Sequence, residues 1–135
     1  MKTGALNLGS ECLVPRVRLA DRWFSRLRGL LGRPPLAPGE GLLLRPCASV
    51  HTCFMGYPLD LVFLDRDLQV LATRACVRPW RGAGHRRAYA TLELPGGSLD
   101  RLGLRPGQHL DWRPTQPAPA GSRAGGTAAE TGGDT

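Results

Sequence analysis

The side chains best equipped for chemistry in this chain of 135 residues begin with Cys47, His51 and Cys53. Alternate residues of an extended strand share a face, so His51 and Cys53 lie together and Cys47 falls two strand periods before His51. Thiolate and imidazole are good zinc ligands. A closed structural site needs four of them, however, and no Cys-x-x-Cys elsewhere supplies the rest; Cys12, Cys76 or Asp60 would have to complete it, and no metal or other cofactor is expected. The same residues could form a nucleophile and base, with Cys47 attacking, His51 taking the proton and Asp60 orienting the imidazole. The ordinary alternative is that Cys47 and Cys53 are small buried hydrophobes and His51 satisfies a core hydrogen bond.

Two carboxylates sit inside strand-like runs. Asp60 lies in Leu59-Asp-Leu-Val-Phe-Leu64 on the face of Val62 and Leu64, where an ionised group needs a partner, and Arg28 and His51 are the candidates. Glu93, between Leu92 and Leu94, faces away from both and reads as partly exposed on a solvated strand face. A third group is the segment from Arg78 to Arg87, whose arginines Arg78, Arg81, Arg86 and Arg87 include no acid between them. Trp80 and Tyr89 flank it. Such a segment could bring cations to phosphates and rings to bases, although it matches no recognised nucleic-acid motif.

These groups must be held by a small domain. A chain of 14.6 kDa fits one hydrophobic core. From Arg113 to Thr135 there is no aliphatic side chain larger than Ala, so residues 113–135 are expected to be a disordered Pro/Ala/Gly/Thr-rich tail behind a folded domain of residues 1–112. The tail's Arg113 and Arg123 balance Glu130 and Asp134, which leaves the net charge of +7 on the domain. All but Lys2 of the 18 basic residues are Arg, a bias that coding preference explains as readily as anion recognition. No apolar run reaches signal-peptide or membrane-span length, so a cytoplasmic protein with reduced cysteines and no membrane partner is expected.

The elements follow from periodicity. Cys12 to Leu19 alternates apolar and basic residues, and Pro15 suits it to an edge strand. Asp21 can cap a helix whose apolar stripe is Trp23, Phe24, Leu27, Leu30 and Leu31, ended by Gly32, with Arg28 at the margin of the stripe. Leu42-Leu-Leu44 is short enough for a buried strand. Ala48 to Met55, Leu59 to Leu64 and Leu68 to Arg74 read as further strands of a meander, the last two joined by a turn at Asp65-Arg-Asp67. Tyr89 to Leu94 is another strand, Pro95-Gly-Gly97 turns, Ser98 caps a helical turn to Leu102, and Gln108 to Trp112 closes the domain. About seven short strands with one helix in the N-terminal half predict a mainly β protein, on the border of α+β, built as a compact barrel or rolled sheet.

Several segments resemble, in order, the family known as domain of unknown function 192: Arg28-Gly-Leu-Leu31, Cys53-Phe-Met55, Pro58-Leu-Asp60-Leu-Val-Phe63-Leu-Asp65, Glu93-Leu94, and Gly103 with Gly107. Arg45-Pro-Cys47-Ala-Ser-Val-His51-Thr52 is similar to a branch carrying Cys and His before the Phe-Met pair. The resemblance spans about Ala20 to Leu110 and implies a compact mainly β fold with no established reaction, cofactor or substrate. Many members are exported, but this sequence shows no export signal.

The sequence therefore favours a non-enzymatic binding or accessory domain, with a pocket near Arg28, His51, Met55, Asp60 and Glu93 for a small polar or anionic ligand. One competing reading is an enzyme using Cys47, His51 and Asp60, for which mutual contact in an open pocket is required. Another is nucleic-acid binding through Arg78, Trp80, Arg81, Arg86 and Arg87, for which a basic groove with exposed rings is required.

Overall fold

The computed structural model describes residues 2–20, 36–47, 49–51, 57–78 and 82–115, although the side chains of residues 49–51 and 82 are not described. The chain is mostly β. Its elements are β1 (Lys2–Leu8), β2 (Glu11–Ala20), β3 (Glu40–Leu44), β4 (Ser49–His51), β5 (Leu59–Leu64), β6 (Val70–Val77), β7 (Gly82–Gly84), β8 (Ala90–Pro95), the short helix α1 (Ser98–Leu102) and β9 (Asp111–Pro114). The helix expected from Asp21 to Gly32 lies outside the described residues.

Among the described residues, seven strands make one sheet in the order β6-β5-β8-β3-β2-β1-β9, and β4 pairs with β7 in a separate two-stranded sheet. A simple meander is therefore replaced by a more interleaved order, with β8 inserted between β3 and β5. The β2–β3 pair is parallel and the other pairs in the sheet are antiparallel. The sheet is rolled but not closed into a barrel. Its two ends nevertheless approach each other, because Gln69 bridges to His109 and Leu110 N–H donates to the Leu68 carbonyl at 2.9 Å.

β2 is not an edge strand. The N-terminal segment supplies β1 on one side of it, and β3 lies on the other. Pro15 is tolerated because the β1 register slips there: Gly4 faces Val17 and Leu6 faces Val14, so three steps on β2 match two on β1. A bulge is where a strand can spare an N–H. Gly4 has its own reason, since a Cβ there would fall on the Arg113 carbonyl and at 2.7 Å from the Trp112 ring. At the other end of the chain, Arg113 and Pro114, placed in the tail by composition, pair with Ala5 and Gly4 in β9.

Both faces of the sheet's middle are covered. Every residue of β5 is buried. One core gathers Val62, Leu64, Leu92, Leu94 and Leu99 with side chains of β1 and β2; the second gathers Leu42, Leu44, Leu59, Leu61 and Phe63 with Leu36 and Val77. Each fully buried Leu or Phe contributes roughly 1.5–3 kcal/mol, so β3, β5 and β8 form the rigid part of the domain. Polar groups placed on these strands are held firmly.

Candidate functional site

Asp60 points into the first core, as alternation with Val62 and Leu64 requires, and is 0% exposed. Its described partners are backbone amides. Cys76 N–H donates to Oδ1 and Leu99 N–H to Oδ2, each at 2.8 Å. Both amides need such an acceptor. Cys76 sits where β6 bulges against β5, with φ of 50°, and Leu99 lies in the first turn of α1, whose N–H groups have no acceptor within the helix. Asp60 thus does from a distant strand what the sequence pattern assigns to Ser98 locally. The N-cap residue is Gly97, and Ser98 Oγ instead donates to the Pro95 carbonyl at 2.6 Å.

Glu93 overturns the expectation of a solvated strand face, being only 2% exposed. Its strand lies between β3 and β5, with Leu42 and Leu61 as its cross-strand neighbours, and its side chain enters the second core. Burial alone raises its pKa from 4.5 to about 8, because the charged form has lost its water. Tyr57, half-buried against the same core, has its phenol pushed up by burial and then by the nearby Glu93 carboxyl; the Leu36 backbone offsets part of this. Among the described residues, neither Glu93 Oε1 nor the Tyr57 hydroxyl finds a hydrogen-bond partner of good geometry. Two buried oxygen groups are therefore left with unused hydrogen-bonding capacity in apolar surroundings, a costly arrangement.

Cys47 packs against this second core, and Thr91 Oγ1 donates to its carbonyl at 2.9 Å. Cys47 and Asp60 consequently serve opposite faces of the sheet. His51 is placed by backbone only, paired with Gly82. Arg28, Cys53, Met55, Trp80 and Arg81 lie outside the described residues. Of the basic segment, Arg78, Arg86 and Arg87 are exposed. Tyr89 is half-buried, with the Arg66 guanidinium 4.2 Å from its ring centre, so that face is already covered. Among the described residues, no three His, Cys, Asp or Glu cluster as metal ligands, and no helix is long and apolar enough to cross a membrane.

Tyr57 was hidden in the sequence because Gly56-Tyr-Pro58 reads as a turn. The burial of Glu93 did leave a trace: the continuous apolar runs of β3 and β5 mark strands covered on both faces, and a strand lying between them has no solvated side.

The family model for DUF192, described as uncharacterized ACR, matches residues 6–112. The chain belongs to the DUF192 family. A UPF0127 protein of Thermococcus sibiricus is 34% identical to the DUF192 chain over 102 residues, 72% of this chain and 66% of that protein, so the chain spans just under two thirds of that relative. One from Pyrococcus furiosus is 34% identical over 100 residues, covering 71% of this chain and 85% of the relative. A crystal structure of a protein of unknown function from Novosphingobium aromaticivorans superposes with a TM-score of 0.68 at 28% identity, over 82% of this DUF192 chain and 84% of that one.

Proposed function

We propose that this DUF192 domain is a non-enzymatic ligand-binding protein whose polar anchor is Glu93, assisted by Tyr57. The observation that carries the reading is that the buried Glu93 Oε1 and Tyr57 hydroxyl find no hydrogen-bond partner of good geometry among the described residues. A fold selected for stability alone would replace or satisfy them, whereas binding sites keep polar groups that the empty protein leaves unmatched. Glu93 holds its proton up to about pH 8, so at neutral pH it both donates and accepts, and Tyr57 adds a second hydroxyl. Surrounded by Leu42, Leu61 and Phe63, the pair suits an uncharged carbonyl, amide or hydroxyl group on a mostly apolar ligand. Asp60 is not needed for this role, because its two oxygens already hold Cys76 and Leu99.

A cytoplasmic location belongs to the same reading, supported by the exposed Cys12 and Cys76, which a reducing compartment tolerates. The enzyme alternative is disfavoured by the opposite faces of Cys47 and Asp60. The test is a thermal-shift panel of neutral amides, alcohols and lactones on wild type, Glu93→Met and Tyr57→Phe. The reading expects a compound that raises the wild-type melting temperature but not that of Glu93→Met, and expects unliganded Glu93→Met to melt higher than wild type. A Glu93→Met protein that melts lower, with no compound acting on the wild type, would overturn it.

A further inference from the structure

Away from Glu93 lies a cleft of about 340 Å³ lined by Arg45, Arg66, His109 and Trp112 together with the carboxylates Asp67 and Asp111. It opens where β3 and β5 end and β9 begins. The cleft is on the other side of the sheet from Glu93, since its apolar wall of Leu68 and Leu110 belongs to the first core.

The charges in this cleft are unevenly engaged. Asp111 already accepts from Arg113 Nε at 2.8 Å. Arg45 and Arg66 form no ion pair among the described residues, although two carboxylates line the same cleft. Arg66 is held instead by the Tyr89 ring, which fixes the guanidinium by its face and leaves its N–H edges available. The turn that carries it is braced, because Asp65 Oδ1 accepts both Asp67 N–H at 2.8 Å and Gln69 N–H at 2.9 Å. Trp112 forms a half-buried wall whose indole N–H is already used on the Val17 carbonyl at 3.3 Å, so what it offers a ligand is ring surface.

Two guanidinium groups that form no ion pair among the described residues, with an imidazole beside an aromatic face, suit a phosphate attached to a planar body. We infer that this cleft binds a small phosphorylated ligand of mononucleotide size, with Arg45, Arg66 and His109 on the phosphate and Trp112 against the base or ring. Its volume falls within the range of small-molecule sites. Asp67 opposes the phosphate charge and sets an upper limit on affinity.

The experiment is calorimetric titration of the full chain with AMP, ribose 5-phosphate and inorganic phosphate. AMP should bind more tightly than ribose 5-phosphate, and inorganic phosphate weakest of the three. The double variant Arg45→Gln/Arg66→Gln should weaken AMP at least tenfold, and Trp112→Leu should remove the advantage of AMP over ribose 5-phosphate. Asp67→Asn should tighten AMP severalfold. Arg86→Gln/Arg87→Gln removes the same charge from outside the cleft and should leave affinity within twofold. No heat with millimolar AMP would overturn the proposal, as would equal loss in the two double variants, which would indicate only the general charge of the domain. The site is independent of Glu93, so Glu93→Met should bind AMP as wild type does; failure here leaves the Glu93 reading untouched.

Discussion

Replacing Asp60 by Asn removes one oxygen acceptor and leaves the rest of the residue nearly unchanged in size. In the native protein each oxygen receives one amide, from Cys76 and from Leu99, both at 2.8 Å. An Asn side chain can still accept one of them, but its NH₂ must then face the other N–H, and two donors cannot satisfy each other. One charge-assisted bond is lost, worth about 1.5–3 kcal/mol, and one amide is orphaned at about 1–3 kcal/mol; partial relaxation leaves an expected cost of about 2–4 kcal/mol. The assay is urea denaturation at constant pH, with the slope unchanged and the midpoint lowered accordingly. Hydrogen exchange adds a local readout, since the Cys76 or Leu99 amide should lose protection before the centre of β5 does. An unchanged or raised midpoint would refute the reasoning and return Asp60 to the list of ligand residues.

Glu93 gives a pH dependence of known sign. Its folded pKa of about 8 lies above the ordinary 4.5, so between those values the folded state holds a proton that the unfolded chain has released. Its contribution is fully present below about 4.5 and is lost as pH rises through 8, at up to about 1.4 kcal/mol per pH unit. Stability of wild type relative to Glu93→Gln should therefore fall across that window in urea titrations at stepped pH; a constant difference would contradict it. At the other side of the sheet, Gly4→Ala would drive a Cβ into the Trp112 ring and the Arg113 carbonyl, and overpacking of this kind costs about 1–3 kcal/mol. The expected result is a lowered midpoint with Trp112 fluorescence shifted toward that of exposed indole, and a wild-type midpoint would show that β9 does not lie firmly on β1.

Much of the fold was legible from side-chain period and turn chemistry. Leu59 to Leu64 is read to the residue, and the Asp65-Arg-Asp67 turn and the Pro95-Gly-Gly97 turn follow from residues that favour them. What local pattern could not carry was strand order. Pro15 suggests an edge only until the bulge at Gly4 to Leu6 is known, and Met1 to Ser10 has too little alternation to announce β1. The same gap governs the site. Alternation with Val62 and Leu64 places Asp60 on the right face, but its described partners lie 16 and 39 residues away in sequence and are backbone groups, which no residue type advertises. Glu93 reads as exposed wherever one face of a strand is assumed to be wet, and only the insertion of β8 between two covered strands buries it.

The most direct measurement is a carbon-13 NMR titration of the Glu93 side-chain carboxyl in the folded protein, assigned by its loss in Glu93→Gln. A carboxyl that burial has stripped of its water should titrate near pH 8. A transition in the ordinary range around 4.5 would mean that Glu93 is solvated or paired with a cation, and the binding role built on its unmet hydrogen bonds would fall.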